Sequence, residues 1–137
     1  MDDVFEKRKF VICEESLENV IQDGKQIGFS LKLRIPEYRG LPLALIGGIR
    51  IFIDGNLIPE EMVSITSDGA TFKWSEISTV RSVYWLYEEP ALITVIDNKG
   101  LSKGTHKVGA YVEVRISYMP PGIFAGEERE MEVRNAD

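Results

Sequence analysis

The chain has one histidine, His106, and one cysteine, Cys13, and that scarcity decides most of what it could do alone. A single histidine excludes an intrachain His-His metal motif such as H-E-x-x-H. A single cysteine excludes an intrachain disulfide and any Cys-x-x-Cys zinc or redox pair. His106 stands in Lys103-Gly104-Thr105-His106-Lys107, just ahead of a strand-like run, with Ser102 close by. A Ser-His-Asp triad needs a group that orients the imidazole and a sharp turn that presents the serine. The sequence offers neither, so His106 reads as a surface residue at a turn. Carboxylates come in adjacent pairs: Glu14-Glu15, Glu60-Glu61, Glu88-Glu89 and Glu127-Glu128. A glycosidase needs two carboxylates facing each other roughly 5 to 9 Å apart, whereas neighbours on a strand point to opposite faces. These pairs read as loop solubility and edge protection. Cys13 ends an apolar run and reads as a small buried hydrophobe.

Three segments are better suited to contact than to catalysis. In Pro36-Glu37-Tyr38-Arg39-Gly40-Leu41-Pro42, two prolines and a glycine set the path of a loop carrying Tyr38 and Arg39. A ring that stacks and a guanidinium that makes forked hydrogen bonds suit a sugar or a carboxylate. They equally suit a protein interface, or a tight crossover loop with Arg39 in a surface ion pair. In Tyr84-Trp85-Leu86-Tyr87, period two places one of Tyr84 and Trp85 in the core and the other outside. Trp85 is taken as core plus interface. In Met119-Pro120-Pro121-Gly122-Ile123-Phe124, two prolines stiffen an arm ending in an apolar pair that would be uncomfortable in water. Docking on a partner or a second subunit is the expectation. The candidate partner-interface or pocket-wall residues are therefore Tyr38, Arg39, Trp85, Pro120, Pro121 and Phe124. No catalytic, cofactor-binding or metal-ligating residue is assigned.

The elements that must position these residues are strands. Ile27, Phe29, Leu31, Leu33 and Ile35 alternate with Gly28, Ser30, Lys32 and Arg34, as in a strand with one buried and one wet face. Val108, Ala110, Val112, Val114, Ile116 and Tyr118 repeat the pattern over about 35 Å at strand rise. Shorter candidates are Phe10 to Cys13, Leu17 to Ile21, Ile49 to Ile53, Met62 to Ile65, Ala70 to Trp74 and Val83 to Tyr87. Ala91 to Ile96 is apolar on both parities and reads as a central strand covered on both faces. Asp23-Gly24, Asp54-Gly55, Asp68-Gly69 and Asn98-Lys99-Gly100 are turns. Trp74 to Ile77 could close one helical turn. From Gly122 the pattern is lost, and 119–137 reads as a C-terminal arm or tail. Together these predict an all-β, single-domain antiparallel β-sandwich of about seven to nine strands over residues 1–137.

Sixteen Lys and Arg against 22 Asp and Glu leave a net charge of −6 on 137 residues. That balance argues against a nucleic-acid partner. The longest nearly apolar run, Leu41 to Ile49, is too short to span a bilayer. An acidic start, a free cysteine and no Asn-x-Ser/Thr sequon lead to an expectation of a cytoplasmic protein without membrane contact. Three classes stay open: accessory enzyme subunit, stand-alone carbohydrate-binding module, and structural assembly domain.

Several segments resemble the small β subunit of bacterial C-glycoside deglycosidases. They are Phe10-Val11-Ile12-Cys13-Glu14-Glu15-Ser16-Leu17-Glu18-Asn19-Val20, the run from Gly28 through Pro36-Glu37-Tyr38-Arg39-Gly40-Leu41-Pro42-Leu43, Ile51-Phe52-Ile53-Asp54-Gly55 with Ile58-Pro59, the run Gly100 to Val108, and Tyr118-Met119-Pro120-Pro121-Gly122. The likeness spans about residues 8 to 122 in order. It implies a β-sandwich that works only with a larger α subunit, a TIM barrel similar to sugar-phosphate isomerases/epimerases. That partner carries a divalent metal, usually taken as manganese; this chain carries no cofactor. The complex cleaves the carbon–carbon bond between a 3-oxo sugar and an aromatic aglycone of the flavonoid type. The ketone acidifies the C2 proton, and its removal lets the aglycone leave by elimination. The resemblance implies that base and metal belong to the α subunit, while this chain stabilises it and walls its pocket. The Tyr38-Arg39 loop and the Pro120-Pro121 arm are the expected contacts.

Overall fold

Three Asp-Gly pairs place left-handed backbone at both central positions of a two-residue hairpin: Asp23 and Gly24 (φ 52° and 77°), Asp54 and Gly55 (52° and 86°), Asp68 and Gly69 (51° and 78°). This is the geometry whose twist matches flanking strands, and Asp-Gly tolerates it best. In the computed structural model, which describes residues 4–8, 10–36, 40–115 and 123–135, these turns join β2 (Glu18–Gln22) to β3 (Lys25–Leu33), β5 (Ile46–Ile53) to β6 (Asn56–Leu57), and β7 (Val63–Ser67) to β8 (Ala70–Lys73). The remaining strands are β1 (Val4–Lys7), β4 (Leu41–Pro42), β9 (Tyr84–Trp85), β10 (Ala91–Ile96), β11 (Thr105–Val114) and β12 (Ile123–Glu132).

Two five-stranded sheets result, in the orders β1-β12-β11-β5-β6 and β2-β3-β10-β7-β8, with a small β4-β9 ribbon. Pairing is antiparallel except for β1 beside β12, which is parallel. The fold is the all-β architecture that the alternation implies. The core lies between the sheets: Phe29, Leu31, Leu33, Ile65, Ile93 and Val95 from one meet Ile49, Ile51, Val108, Ala110 and Val112 from the other. Burying so many apolar side chains, at roughly 1.5–3 kcal/mol each, is what offsets the entropy of ordering the chain. Short 3-10 segments at Leu43–Leu45 and Trp74–Thr79 add Leu43 and Ile77 to this core.

Three expectations are corrected. Twelve strands occur among the described residues rather than seven to nine, because two-residue pairings such as β4, β6 and β9 carry no periodicity. β10 is central as expected, but its outer face is open: Leu92 and Thr94 are half-buried and Ile96 is 42% exposed. The C-terminal segment is not a tail. Residues 123–132 form a ten-residue strand between β1 and β11. Its alternation is hidden because Glu127 and Arg129 share the inward register of Ala110 and Val108. Both are tied to backbone there: Glu127 Oε2 accepts the Ile12 N–H at 2.7 Å, and Arg129 Nη1 donates to the Ile12 carbonyl at 3.3 Å. Segment 10–13 itself makes one bridge, Ile12 to Leu33, and so links β3 to β12.

Candidate functional site

The sequence-derived contact residues separate into three groups. Tyr38, Arg39, Pro120 and Pro121 lie outside the described residues. Trp85, expected to serve both core and interface, is 0% exposed. In the β4-β9 ribbon it pairs with Leu41, and its neighbour Tyr84 takes the outer position at 49% exposure. Its indole N–H has no hydrogen-bond partner among the described residues. Trp85 is therefore a core residue of this chain, as one half of the expectation had it. Phe124 is not on an arm: it sits in β12 at 2% exposure. The Arg50 guanidinium lies 4.6 Å above its ring, and a Cβ on Gly48 would meet the ring at 2.8 Å.

One constellation arises that sequence reasoning dismissed. His106 Nδ1 lies 2.7 Å from Asp54 Oδ2, and Nε2 lies 2.7 Å from the Ser102 carbonyl and 3.4 Å from Ser102 Oγ. Something does orient the imidazole, and the Asp54-Gly55 turn signal was the clue. Yet the chemistry is not that of a triad. A carboxylate and a carbonyl both accept, so both ring nitrogens donate and the ring is held as imidazolium. Burial pulls the His106 pKa down, but the Asp54 carboxylate and the Ser102 carbonyl outweigh it, and the net shift is upward. The hydrogen bonds from His106 and from the Lys107 N–H hold the Asp54 carboxyl below its ordinary value. An Nε2 already donating to a carbonyl has no lone pair with which to accept a proton from Ser102. The arrangement is a clip joining the β5-β6 turn to the start of β11, reinforced by Asp54 Oδ1 accepting the Lys107 N–H at 2.9 Å and the Asp54 N–H donating to the Lys107 carbonyl at 2.8 Å.

Members of three of the four acidic pairs are engaged similarly. Glu14 binds Arg129 and Glu15 binds Arg134, each at 3.2 Å, across a shallow groove of about 600 Å³. Glu60 binds Arg50 at 2.5 Å. Beside the groove, Phe10, Cys13, Arg34 and Tyr87 line a cleft of about 530 Å³. Burial pushes the Cys13 thiol pKa up, against the smaller opposing effects of Arg34 and Lys32, so it stays a thiol rather than a nucleophilic thiolate. Among the described residues no group of three or more His, Cys, Asp and Glu side chains could hold a metal ion. No described helix is long and apolar enough to cross a membrane.

Fold and polar groups thus define a β-sandwich whose histidine and several of whose carboxylates are engaged in structural contacts. The chain belongs to the C-glycoside deglycosidase beta subunit family, whose model matches residues 7–118. It is 30% identical over 110 residues to a C-glycoside deglycosidase beta subunit of Eubacterium cellulosolvens, covering 80% of this chain and 75% of that one. It is 26% identical over 113 residues to a 3'-dehydrocarminate deglycosidase beta subunit of a Microbacterium species, covering 82% and 81%. A C-glycoside deglycosidase beta subunit of Microbacterium trichothecenolyticum is 31% identical over 65 residues, 47% of this chain and 50% of that one.

Proposed function

We propose that this chain is the accessory β subunit of a heteromeric C-glycoside deglycosidase, a carbon–carbon lyase acting on 3-oxo C-glucosides of flavonoid-type aglycones. Its partner would be a TIM-barrel α subunit that carries a divalent metal, manganese in the reading above, and the catalytic base. The observation that carries this is the family match, which takes in β2 through β11 and so reaches both sheets. The occupied state of the polar groups supports it. His106, the only residue here with a reference pKa suited to general base work at neutral pH, has both ring nitrogens engaged. The chain's part is to stabilise the α subunit and to exclude water from its pocket, which strengthens the electrostatics of proton abstraction. The carbohydrate-binding alternative loses Trp85 as a stacking ring, because Trp85 is in the core.

Size exclusion with light scattering, on this chain alone and mixed with the TIM-barrel chain encoded beside it, tests the proposal. The expected result is a stable mixed complex that cleaves a 3-oxo C-glucoside where neither chain alone does. Absence of co-elution, with this chain a well-behaved monomer, overturns it.

A further inference from the structure

The two outer faces of the sandwich differ in kind. On the sheet containing β10, cross-strand rows read Ser30-Thr94-Ser64-Lys73 and Lys32-Leu92-Thr66-Thr71. Hydroxyls and lysines dominate these rows, beside a 42% exposed Ile96 and a buried Ser30, and Thr66 Oγ1 lies 2.7 Å from Thr71 Oγ1. On the sheet containing β11, the rows read Phe5-Phe124-Glu113-Gly48, Lys7-Gly126-Tyr111-Arg50 and Glu128-Gly109-Phe52-Leu57. Four of those side chains are aromatic rings, and three positions are glycine.

The rings form a layer of their own outside the core. Phe5 lies 4.8 Å from Tyr111, 5.8 Å from Phe124 and 5.9 Å from Phe52, centroid to centroid. Tyr111 and Phe124 are buried beneath it at 5% and 2% exposure, while Phe5 at 43% and Leu57 at 53% remain open. Such ring pairs contribute beyond the area they bury, so the layer is ordered before anything docks. An apolar patch with a polar rim is the anatomy of a protein interface.

The rim charges are matched within the chain only in part: Lys7, Glu130 and Glu132 on the same face are exposed and have no ion pair among the described residues. Arg50 pairs with Glu60 at 2.5 Å, Lys107 with Glu128 at 3.2 Å and Arg115 with Glu113 at 3.9 Å. The face therefore offers an apolar centre and, along β12, an acidic edge at Glu130 and Glu132. What complements it is a flat apolar patch flanked by basic side chains. A second copy is the poorer occupant, because it would bring another net −6 against this chain's −6.

We infer that the outer face of the β1-β12-β11-β5-β6 sheet, centred on Phe5, Phe52 and Leu57, docks the companion α subunit through an apolar patch of that subunit. This rests on the subunit reading above and adds the surface to it. Binding of the α chain is titrated by calorimetry against the wild type, Leu57→Glu, Phe5→Glu and, on the opposite face, Thr66→Glu. Leu57 is on an exposed two-residue strand, so its variant keeps the fold; melting curves check all three. The expected result is a loss of affinity of about tenfold or more for each face variant and none for Thr66→Glu. Equal binding by all variants overturns the docking surface while leaving the subunit reading intact. A wild type that does not bind the α chain sinks both. A wild-type homodimer that Leu57→Glu converts to monomer, with α binding unchanged, overturns the assigned occupant.

Discussion

His106 Nδ1 and Asp54 Oδ2 lie 2.7 Å apart although 52 residues separate them in the chain. The pair fastens the β5-β6 turn to the entry of β11, and the Ser102 carbonyl holds the other ring nitrogen at 2.7 Å.

Stability should depend on pH through this clip, with a definite sign. The folded pKa of His106 is raised above its ordinary 6.5, so its contribution is complete below about that pH and is lost as pH rises through the folded value. The folded pKa of Asp54 is lowered from 3.8, so its contribution is complete above that pH and is lost as pH falls through the folded value. The clip's contribution is therefore greatest between about 3.8 and 6.5. His106→Gln should lower stability by about 1 kcal/mol within that window, the modest figure reflecting the exposure of Asp54. Urea unfolding of both proteins at pH 5.5 and 8.5 measures it. A difference between the two that does not shrink at the higher pH would contradict the protonated clip.

Asn19 is 2% exposed and makes two complementary bonds to one residue: Nδ2 donates to the Leu101 carbonyl at 2.8 Å, and Oδ1 accepts the Leu101 N–H at 2.7 Å. Asn19→Ala strips a buried donor and a buried acceptor at once, each costing about 1–3 kcal/mol. A loss of about 2–4 kcal/mol is expected in denaturant titration. Asn19→Asp keeps the accepting oxygen but sets carboxylate against carbonyl, so it should be no better than alanine at neutral pH. Recovery of wild-type stability by the aspartate would show that the donated bond contributes nothing.

Glu127 should control access to Cys13. Its carboxylate holds the Ile12 N–H at 2.7 Å, and Cys13 next door is 8% exposed. Glu127→Ala removes one bond of about 1 kcal/mol from a segment that pairs with β3 through a single bridge. Local opening should become about fivefold more frequent, read as faster labelling of the Cys13 thiol. Unchanged labelling in a folded variant would mean that the backbone bonds of Val11 to Arg34 and of Cys13 to Lys32, with the apolar contacts, hold segment 10–13 without Glu127.

How much of this was legible in the sequence varies by element. Ile27 to Ile35 and Val108 to Val114 were readable because one apolar face against one core leaves a period of two. The Asp-Gly turns were readable because few other pairs accept two left-handed residues in succession. β12 was not, because its inward positions carry Glu127 and Arg129, whose partners are backbone groups more than 100 residues away. Among the contact candidates, the sequence narrowed Trp85 and Tyr84 to one inside and one outside, and only the register of the β4-β9 ribbon decided which.

The sequence by itself determined the strand-rich character, the hairpin positions and the absence of any two-histidine or two-cysteine site, since each depends on residue types and spacing along the chain. Tertiary structure alone decided which sheet each strand joins, that Asp54 meets His106, and that Phe5, Phe52, Tyr111 and Phe124 gather on one outer face. The reason is physical. Alternation tells which side chains share a face of one strand, but not which strands lie side by side. Hydrogen-bonded register between distant segments assembles the clip and the aromatic layer.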